Sequence, residues 1–419
     1  MNGKAQLAIQ STAKWLTLRR IRAQAMLFAL CLWGVCAVDF ATPGLFDRAG
    51  NIKFQDFLQF YISARLIGEG RNAQLYDQHV ADQEMRALVG ETRVHLPTVY
   101  GPQVGLLFVS LAQLSFPAAA RIWVALSLAA IAACLYLIWR SCSSLRSHVQ
   151  TVVLCALAFP PLFHFFVRGQ ISALVLVCFS TAFLAFRADR DWLAGIALGF
   201  LAFKPQFLVA LPLIFLLSHA WKAFAGLAVA AVGQLALTAL RLGHTVMRTY
   251  FDTMLHMSRW MGLAEGGPAH IQMHSLRSFW TLLVPWPEAA LVLYVLSSIA
   301  VIAMAAVVWK SSAALALRFS ALTLAAVLVN PHLFVYDLLV LAPTLLLLVD
   351  WILTHAQHPS SAGLSLLVYL AFVLPLFGPL SRWTHVQLSI PAFAALLWVL
   401  GRISETPSHE LASHESAVV

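Results

Sequence analysis

The chain has 419 residues, of which 60% are hydrophobic and only 11% are charged. Soluble domains carry roughly 25% charged residues, so a soluble fold could not bury this much apolar surface. The apolar residues form blocks of about 17 to 25, which is the length that crosses roughly 30 Å of hydrocarbon as a helix. The alternating pattern of a membrane β-barrel does not occur in the sequence. The composition therefore excludes a soluble protein and predicts an all-α, polytopic transmembrane helical bundle.

The net charge of +9 arises mainly from short clusters of Lys and Arg near the ends of the apolar blocks. This is where the positive-inside rule places basic residues, so no nucleic-acid partner is needed to explain them. Lys4, Lys14, Arg19, Arg20 and Arg22 lie ahead of the apolar residues of the first block. We expect this block to be a retained signal anchor whose amino terminus faces the cytoplasm.

The apolar blocks predict the number of membrane crossings. In chain order they cover residues 22–40, 118–139, 149–167, 169–186, 192–218, 220–241, 288–309, 313–330, 333–353, 363–380 and 386–401. Two shorter apolar pieces, 102–117 and 275–285, are interpreted as re-entrant or interfacial segments.

The block 192–218 contains Lys204 and Pro205 near its centre, where a charge is costly and a proline removes a backbone donor. A break at this point would divide the block into two helices that dip into the membrane and return. The bundle would then have about 12 helices, with both ends in the cytoplasm. A single kinked crossing would invert everything that follows. We expect residues 1–402 to form a single domain, followed by a disordered cytoplasmic tail at 403–419.

Asp56 opens the first segment expected on the outer side, where Phe57, Phe60, Tyr61 and Ala64 fall on one face of an amphipathic helix. Followed by Gln59, the aspartate fits a capping box. A carboxylate at the membrane surface could also act as a general base for an acceptor hydroxyl. The two roles are compatible.

Two cations and one further carboxylate lie near the expected outer side. Lys204 either extends its charged end to the interface or neutralises a phosphate leaving group. Arg168 either marks a helix end or binds an anion. Asp337 is a candidate partner for Lys204 or Arg168, or a polar contact between helices. The histidines show no metal-ligand spacing, and neither a metal nor another cofactor is expected.

Several motifs together resemble glycosyltransferase family 87. They are DFLQFYISARLIGEGRNAQLYD from Asp56, YGP from Tyr100, IW at Ile122, RGQIS from Arg168, LAGIALGFLAFKPQ from Leu193, MHSLRSFW from Met273 and NPHLFVYD from Asn330. Each motif is weak alone, but their order and spacing across residues 20–400 are more specific. The chain differs from the family's pattern at the NPH segment, where serine and tryptophan would be expected near the proline. The resemblance therefore says more about the reaction than about the sugar or acceptor.

The resemblance implies a bundle of the GT-C type in a bacterial cytoplasmic membrane, with its active site facing the periplasm. It implies transfer of a hexose, often mannose, from a polyprenyl-phosphate donor to a lipid or glycan acceptor. The residue implied as the base is Asp56. Under this hypothesis Lys204 and Arg168 would stabilise the phosphate charge.

Five further residues are candidate contacts to the sugar or acceptor, with anchoring at the interface or packing between helices as the alternative. They are Tyr61, Tyr100, Gln170, His274 and His332. A secondary transporter or lipid flippase is the alternative function. Such proteins usually contain two related halves with matching broken helices, and the sequence shows one such segment, at Lys204.

Overall fold

The computed structural model describes residues 13–90, 96, 98–263 and 272–405. Within these residues the regular structure is helical, with two isolated β-bridges, Phe46 to Ile52 and Met273 to Phe334. The prediction of an all-α fold is therefore confirmed.

The first half of the chain forms eleven of the described α-helices. They are α1 (Leu18–Phe40), α2 (Gln55–Gly68), α3 (Gln78–Val89), α4 (Pro102–Phe108), α5 (Phe116–Ser141), α6 (Val149–Leu157), α7 (Pro160–Arg168), α8 (Ser172–Arg187), α9 (Asp191–Gly199), α10 (Leu211–Leu217) and α11 (Trp221–Leu242).

The second half contributes eight more described α-helices. They are α12 (His244–Leu263), α13 (Leu276–Leu283), α14 (Pro287–Lys310), α15 (Leu315–Leu328), α16 (Leu341–Thr354), α17 (Ser361–Val373), α18 (Ser381–Thr384) and α19 (Ser389–Glu405). Short 3₁₀ helices join several of them. These are Asn72–Gln74, Leu111–Gln113, Ser144–His148, Phe200–Phe203, Pro205–Leu208, Val335–Val340 and Leu374–Leu380.

Six helical segments in the described part of the chain are long and apolar enough to cross a membrane. They are Leu18–Phe40, Phe116–Ser141, Trp221–Leu242, Pro287–Lys310, Val335–Thr354 and Ser361–Thr384. The number becomes seven if Ser144–Leu157 and Pro160–Arg168, which meet at an angle of 50°, form one bent span. Shorter apolar helices correspond to several other predicted crossings. The protein is therefore a multi-pass membrane protein, while the total of 12 stays a prediction.

The predicted break at Lys204 is confirmed. Helix α9 ends at Gly199, two 3₁₀ turns flank Lys204, and the chain becomes α-helical again at Leu211. The side-chain amide of Gln103 donates to the carbonyl oxygen of Ala202 (3.0 Å), which satisfies one backbone group at the break. Non-helical backbone inside a membrane protein needs such internal partners.

Glycines hold the helix before the break against α11. A Cβ added to Gly195 would lie 2.1 Å from the carbonyl oxygen of Ala223, and one added to Gly226 would lie 2.2 Å from that of Trp192. The two backbones are therefore in direct contact, which small residues allow between membrane helices. This packing fixes where Lys204 lies.

The start of α2 corrects one prediction. The amphipathic face is buried as expected, with Phe57, Phe60 and Ala64 in the core. The N-cap, however, is Phe54 in a left-handed conformation (φ 56°), and Asp56 lies in the first turn. The side chain of Gln59 donates to the backbone oxygen of Asp56 (3.2 Å), so the capping box is wrong. The Asp56 carboxylate is engaged by other helices instead.

The last described helix, α19, ends at Glu405. The single domain of residues 1–402 stays a prediction. Most of the predicted disordered tail, residues 406–419, lies outside the described residues.

Candidate active site

Asp56 lies in the first turn of α2, and its carboxylate contacts the turn that joins α7 to α8. It is 9% exposed. The side-chain amide of Gln170 donates to its Oδ2 (2.8 Å), and Nη1 of Arg168 lies 3.7 Å from its Oδ1. Burial raises the pKa of Asp56, while the charge of Arg168 and the hydrogen bond from Gln170 oppose that rise. A carboxylate with a raised pKa is a stronger proton acceptor than an exposed aspartate.

Gly169 allows the α7–α8 turn to approach the start of α2. Its φ is +69°, which favours glycine, and an added Cβ would lie 3.0 Å from the Cβ of Phe54 and 3.1 Å from that of Phe57. The indole N–H of Trp123 contacts the carbonyl oxygens of Gly169 and Gln170, each at 3.2 Å. The turn is therefore fixed from two sides.

The amide of Gln170 has a defined orientation. Its Oε1 accepts hydrogen bonds from the Tyr100 hydroxyl (3.3 Å) and from the backbone N–H of Ile171 (3.2 Å). With its oxygen occupied, the amide presents its N–H₂ group to Asp56. Gln170 thus orients one oxygen of the carboxylate.

Lys204 and Asp337 form an ion pair behind this group. Both residues are almost fully buried, at 1% and 2% exposure, and the ammonium of Lys204 bonds Oδ1 of Asp337. The Ser172 hydroxyl donates to the same oxygen (2.6 Å). Of the partners considered for Asp337 from sequence, the structure therefore shows Lys204. Pairing balances both charges and makes their burial tolerable.

Two tyrosines connect the ion pair to Asp56. The Lys204 ammonium lies 5.8 Å from the ring centroid of Tyr100 and 5.5 Å from that of Tyr336. Aromatic rings at this distance favour a cation. The charges of Lys204 and Asp337 both act on the pKa of Asp56, and the Tyr100 hydroxyl donates to Gln170, which holds the Asp56 carboxylate. These residues therefore form one polar cluster inside the bundle.

Arg168 differs from Lys204 in accessibility. Its side chain is 35% exposed, whereas Lys204 is buried. Its carboxylate contact, at 3.7 Å, is longer than a direct hydrogen bond. Arg168 is therefore the cation of the cluster that an incoming anion can reach.

Three predicted contact residues lie outside the cluster, namely Tyr61, His274 and His332. The Tyr61 hydroxyl donates to the carbonyl oxygen of Leu114 (2.7 Å), and its ring packs against Phe116 (centroids 5.6 Å apart). These contacts anchor α2 to its neighbours. They assign Tyr61 a packing role in this structure.

His274 is buried between two segments of the second half. Its backbone N–H donates to the oxygen of Leu333 (2.8 Å), and its Nδ1 is paired with the Ser389 hydroxyl (2.8 Å). Burial lowers the pKa of His274 to about 3, so the ring is neutral at physiological pH. His332 is partly buried, and its ring lies edge-on to Phe334 at 4.8 Å.

Ser172 and Tyr336 are cluster members that were not identified as site candidates from the sequence. Both lie within motifs that were recognised, RGQIS and NPHLFVYD. A serine or tyrosine in an apolar helix usually packs between helices, so its type alone does not mark it. The same two motifs contain Arg168 and Asp337, and this shared position is the signal that could have identified Ser172 and Tyr336.

The described residues contain no group of three or more His, Cys, Asp or Glu side chains positioned to hold a metal ion. The expectation that the reaction uses neither a metal nor another cofactor stays a prediction.

The cluster defines a class of protein, a multi-pass membrane protein with a buried acid–base group beside an accessible arginine. Comparison with known families makes the assignment specific. Residues 98–340 match the model of glycosyltransferase family 87, and the chain belongs to this family. It is therefore a membrane glycosyltransferase. Asp56 precedes the matched range, while Arg168, Lys204 and Asp337 lie within it. No curated protein and no solved structure matched the chain.

Proposed function

We propose that this protein is an inverting hexosyltransferase of the GT-C type. It moves a hexose, with mannose favoured, from a polyprenyl-phosphate donor to a hydroxyl of a lipid or glycan acceptor. The observation that carries the proposal is the Asp56 carboxylate, buried and held by Gln170 beside the accessible Arg168. Together these supply a base and a cation at one point.

In the proposed step, Asp56 accepts the proton of the acceptor hydroxyl. The acceptor oxygen forms a bond to the anomeric carbon while the bond from that carbon to the phosphate oxygen breaks. The electron pair of that bond leaves with polyprenyl phosphate. The raised pKa of Asp56 favours proton transfer, and Gln170 holds the carboxylate in place.

Negative charge develops on the departing phosphate, and Arg168 is the residue we assign to it. Its guanidinium can bind two phosphate oxygens at once. Lys204 contributes less, because Asp337 already balances its charge. Its role is to hold Asp337 and the rings of Tyr100 and Tyr336 behind the site.

The position of the cluster supports a lipid-linked donor. Helix α1 starts next to the basic residues near the amino terminus, and its far end packs through Phe40 against Phe54, just before Asp56 (centroids 5.3 Å apart). The positive-inside rule would place the basic end in the cytoplasm and Asp56 on the periplasmic face of a bacterial cytoplasmic membrane. Sugar nucleotides are cytosolic, whereas a polyprenyl-phosphate sugar can be presented on that face.

The test is transfer of radiolabelled mannose from synthetic polyprenyl-phosphate mannose, in membranes containing wild type, Asp56→Asn or Asp77→Asn at equal protein levels. Asp77 is a matched control because it caps α3, and asparagine caps a helix equally well. We expect transfer by wild type and Asp77→Asn, and a loss of about 10²- to 10⁴-fold in Asp56→Asn.

Parallel reactions with polyprenyl-phosphate glucose and with a mannose nucleotide identify the donor. Transfer from the nucleotide alone would contradict the lipid donor. Full activity of Asp56→Asn would contradict the assigned base. If wild type transfers no sugar from any of these donors, the proposed reaction is wrong.

A further inference from the structure

A cavity of about 480 Å³ lies away from the candidate active site. Its walls come from α1 and α6 on one side and from α16 and α17 on the other. They are mostly aliphatic and aromatic, as at Ile21, Val152, Leu345 and Phe372. This volume falls within the range of roughly 300–1,000 Å³ that ligand pockets occupy.

The cavity is separated from the polar cluster. Asp56, Arg168 and Lys204 do not line it. Phe159 and Leu162, which line it, belong to a compact apolar group that also contains Tyr336. A ligand in this cavity would therefore not touch the groups assigned to sugar transfer.

The end of the cavity near the start of α1 carries polar residues. The Arg22 Nε donates to the Thr151 hydroxyl (2.7 Å), which holds the guanidinium beside the rim. The Tyr369 hydroxyl donates to Oε1 of Gln24 (2.8 Å), and His148 also lines the rim. The Nη groups of Arg22, the side-chain N–H₂ of Gln24 and the His148 ring can donate hydrogen bonds to an anion.

Basic residues outnumber acidic ones around this rim, and Asp350, next to the lining residue Val349, accepts hydrogen bonds from the backbone N–H groups of Ser144 (2.7 Å) and Leu145 (3.0 Å). None of the described residues that line the cavity is acidic. Lys14, Arg19 and Arg20 lie near its entrance along the chain, and Arg146 lies in the same 3₁₀ helix as His148. The rim therefore combines an apolar interior with a cationic entrance, which complements an anionic lipid.

We infer that this cavity binds a membrane phospholipid with an anionic headgroup, with an acyl chain between α1 and α17 and the phosphate beside Arg22 and His148. The chain is stabilised by burial and close packing, and the headgroup by the basic rim. The positive-inside rule assigns this lipid to the cytoplasmic leaflet. This inference does not depend on the identity of the sugar donor.

The sugar donor is a poor candidate for this cavity. On α1, Arg22 at the basic rim precedes Phe40 by 18 residues, a distance of roughly 27 Å at 1.5 Å per residue. Arg168 and Asp56 lie near the Phe40 end. A phosphate at the rim would thus be far from the proposed base.

The test measures binding of phosphatidylglycerol and phosphatidylcholine that carry a fluorescent acyl chain to the purified full-length protein in neutral detergent. Ala156→Phe fills the cavity, and Arg22→Gln removes a rim charge. Leu240→Phe, at an 85% exposed position on α11, and Lys222→Gln, at an exposed basic position, are the matched controls.

We expect phosphatidylglycerol to bind wild type at least about fivefold more tightly than phosphatidylcholine, which corresponds to about 1 kcal/mol for one basic residue. Arg22→Gln should lose this preference, and Ala156→Phe should lose binding of both lipids. The two controls should behave as wild type. If Ala156→Phe does not fold, Arg22→Gln still tests the headgroup site.

Three results would overturn the inference. The first is equal binding of both lipids to wild type. The second is unchanged binding to well-folded Ala156→Phe and Arg22→Gln. The third is displacement of phosphatidylglycerol by polyprenyl-phosphate mannose together with a raised donor KM in Ala156→Phe, because that combination would assign the cavity to the donor chain.

Discussion

The buried ion pair of Lys204 and Asp337 predicts a strong, non-additive effect on stability. Lys204→Met leaves the Asp337 carboxylate buried without its counter-charge. Asp337→Leu leaves the Lys204 ammonium buried without its counter-charge. Removing one partner of a buried pair costs about 3–5 kcal/mol. The double variant removes both charges, and an apolar replacement of a buried pair is often close to neutral.

The double variant should therefore be more stable than either single variant. One remaining cost is the Ser172 hydroxyl, which loses its carboxylate acceptor and with it about 1 kcal/mol. The coupling between the two substitutions should reach up to about 3 kcal/mol. All three variants should transfer sugar more slowly, because each loses the ion pair that lies beside the rings of Tyr100 and Tyr336.

The assay is thermal unfolding of the purified variants in one detergent, at one scan rate because membrane-protein unfolding is often irreversible. The matched control is the exposed pair of Arg402 and Glu405, 3.1 Å apart, which should show coupling below about 1 kcal/mol. If the Lys204→Met and Asp337→Leu effects simply add, the two charges are not interdependent in the folded protein, and this reasoning is refuted.

Three further predictions concern other residues of the site. Arg168→Gln should raise the donor KM and lower kcat. Arg168→Lys should recover part of both, because its single point charge replaces a bidentate contact. An unchanged donor KM in Arg168→Gln would show that Arg168 does not bind the donor phosphate. Tyr100→Phe removes the hydroxyl that orients Gln170, so kcat should fall about three- to tenfold at unchanged protein stability in thermal scans, whereas unaltered kcat would show that this hydrogen bond is dispensable. Burial lowers the pKa of His274 from 6.5 to about 3, so between these pH values the unfolded chain binds more protons than the folded protein. The stability of the folded protein should therefore fall as the pH drops from about 6.5 towards 3. His274→Gln should reduce that loss in pH-dependent unfolding, and a pH profile identical to that of wild type would contradict the reasoning.

The sequence predicted the features that depend on membrane energetics. A lysine next to a proline in the middle of an apolar block has few tolerable conformations, and the chain does break at Lys204. The long apolar blocks likewise correspond to long helices, as at Pro287–Lys310. In both cases a local pattern of about 20 residues contains the necessary information.

The role of Asp56 within its helix could not be predicted in the same way. Asp56 followed by Gln59 has the local pattern of a capping box, yet the carboxylate is bonded by Gln170, 114 residues later in the chain. A single sequence shows local spacing and does not show which distant helix lies opposite. The same limit applies to Ser172 and Tyr336, whose importance depends on the neighbouring ion pair.

His274 shows a different limit of the sequence. Its position predicts a polar residue on the outer face, available to a sugar or acceptor, and that role stays a prediction. In the structure it is 1% exposed and its ring is paired with Ser389. Burial of a neutral histidine with a hydroxyl partner is a packing arrangement that composition and position do not distinguish from a binding site.

The central claim is that Asp56 acts as the base of a single-displacement transfer. The most direct measurement is the anomeric configuration of the product formed in a single turnover from polyprenyl-phosphate mannose, with mass analysis of the protein quenched during that turnover. The account predicts a product of the opposite anomer to the donor and no sugar attached to the protein. Retention of configuration together with a mannosyl adduct on Asp56 would contradict it, because the carboxylate would then be the nucleophile.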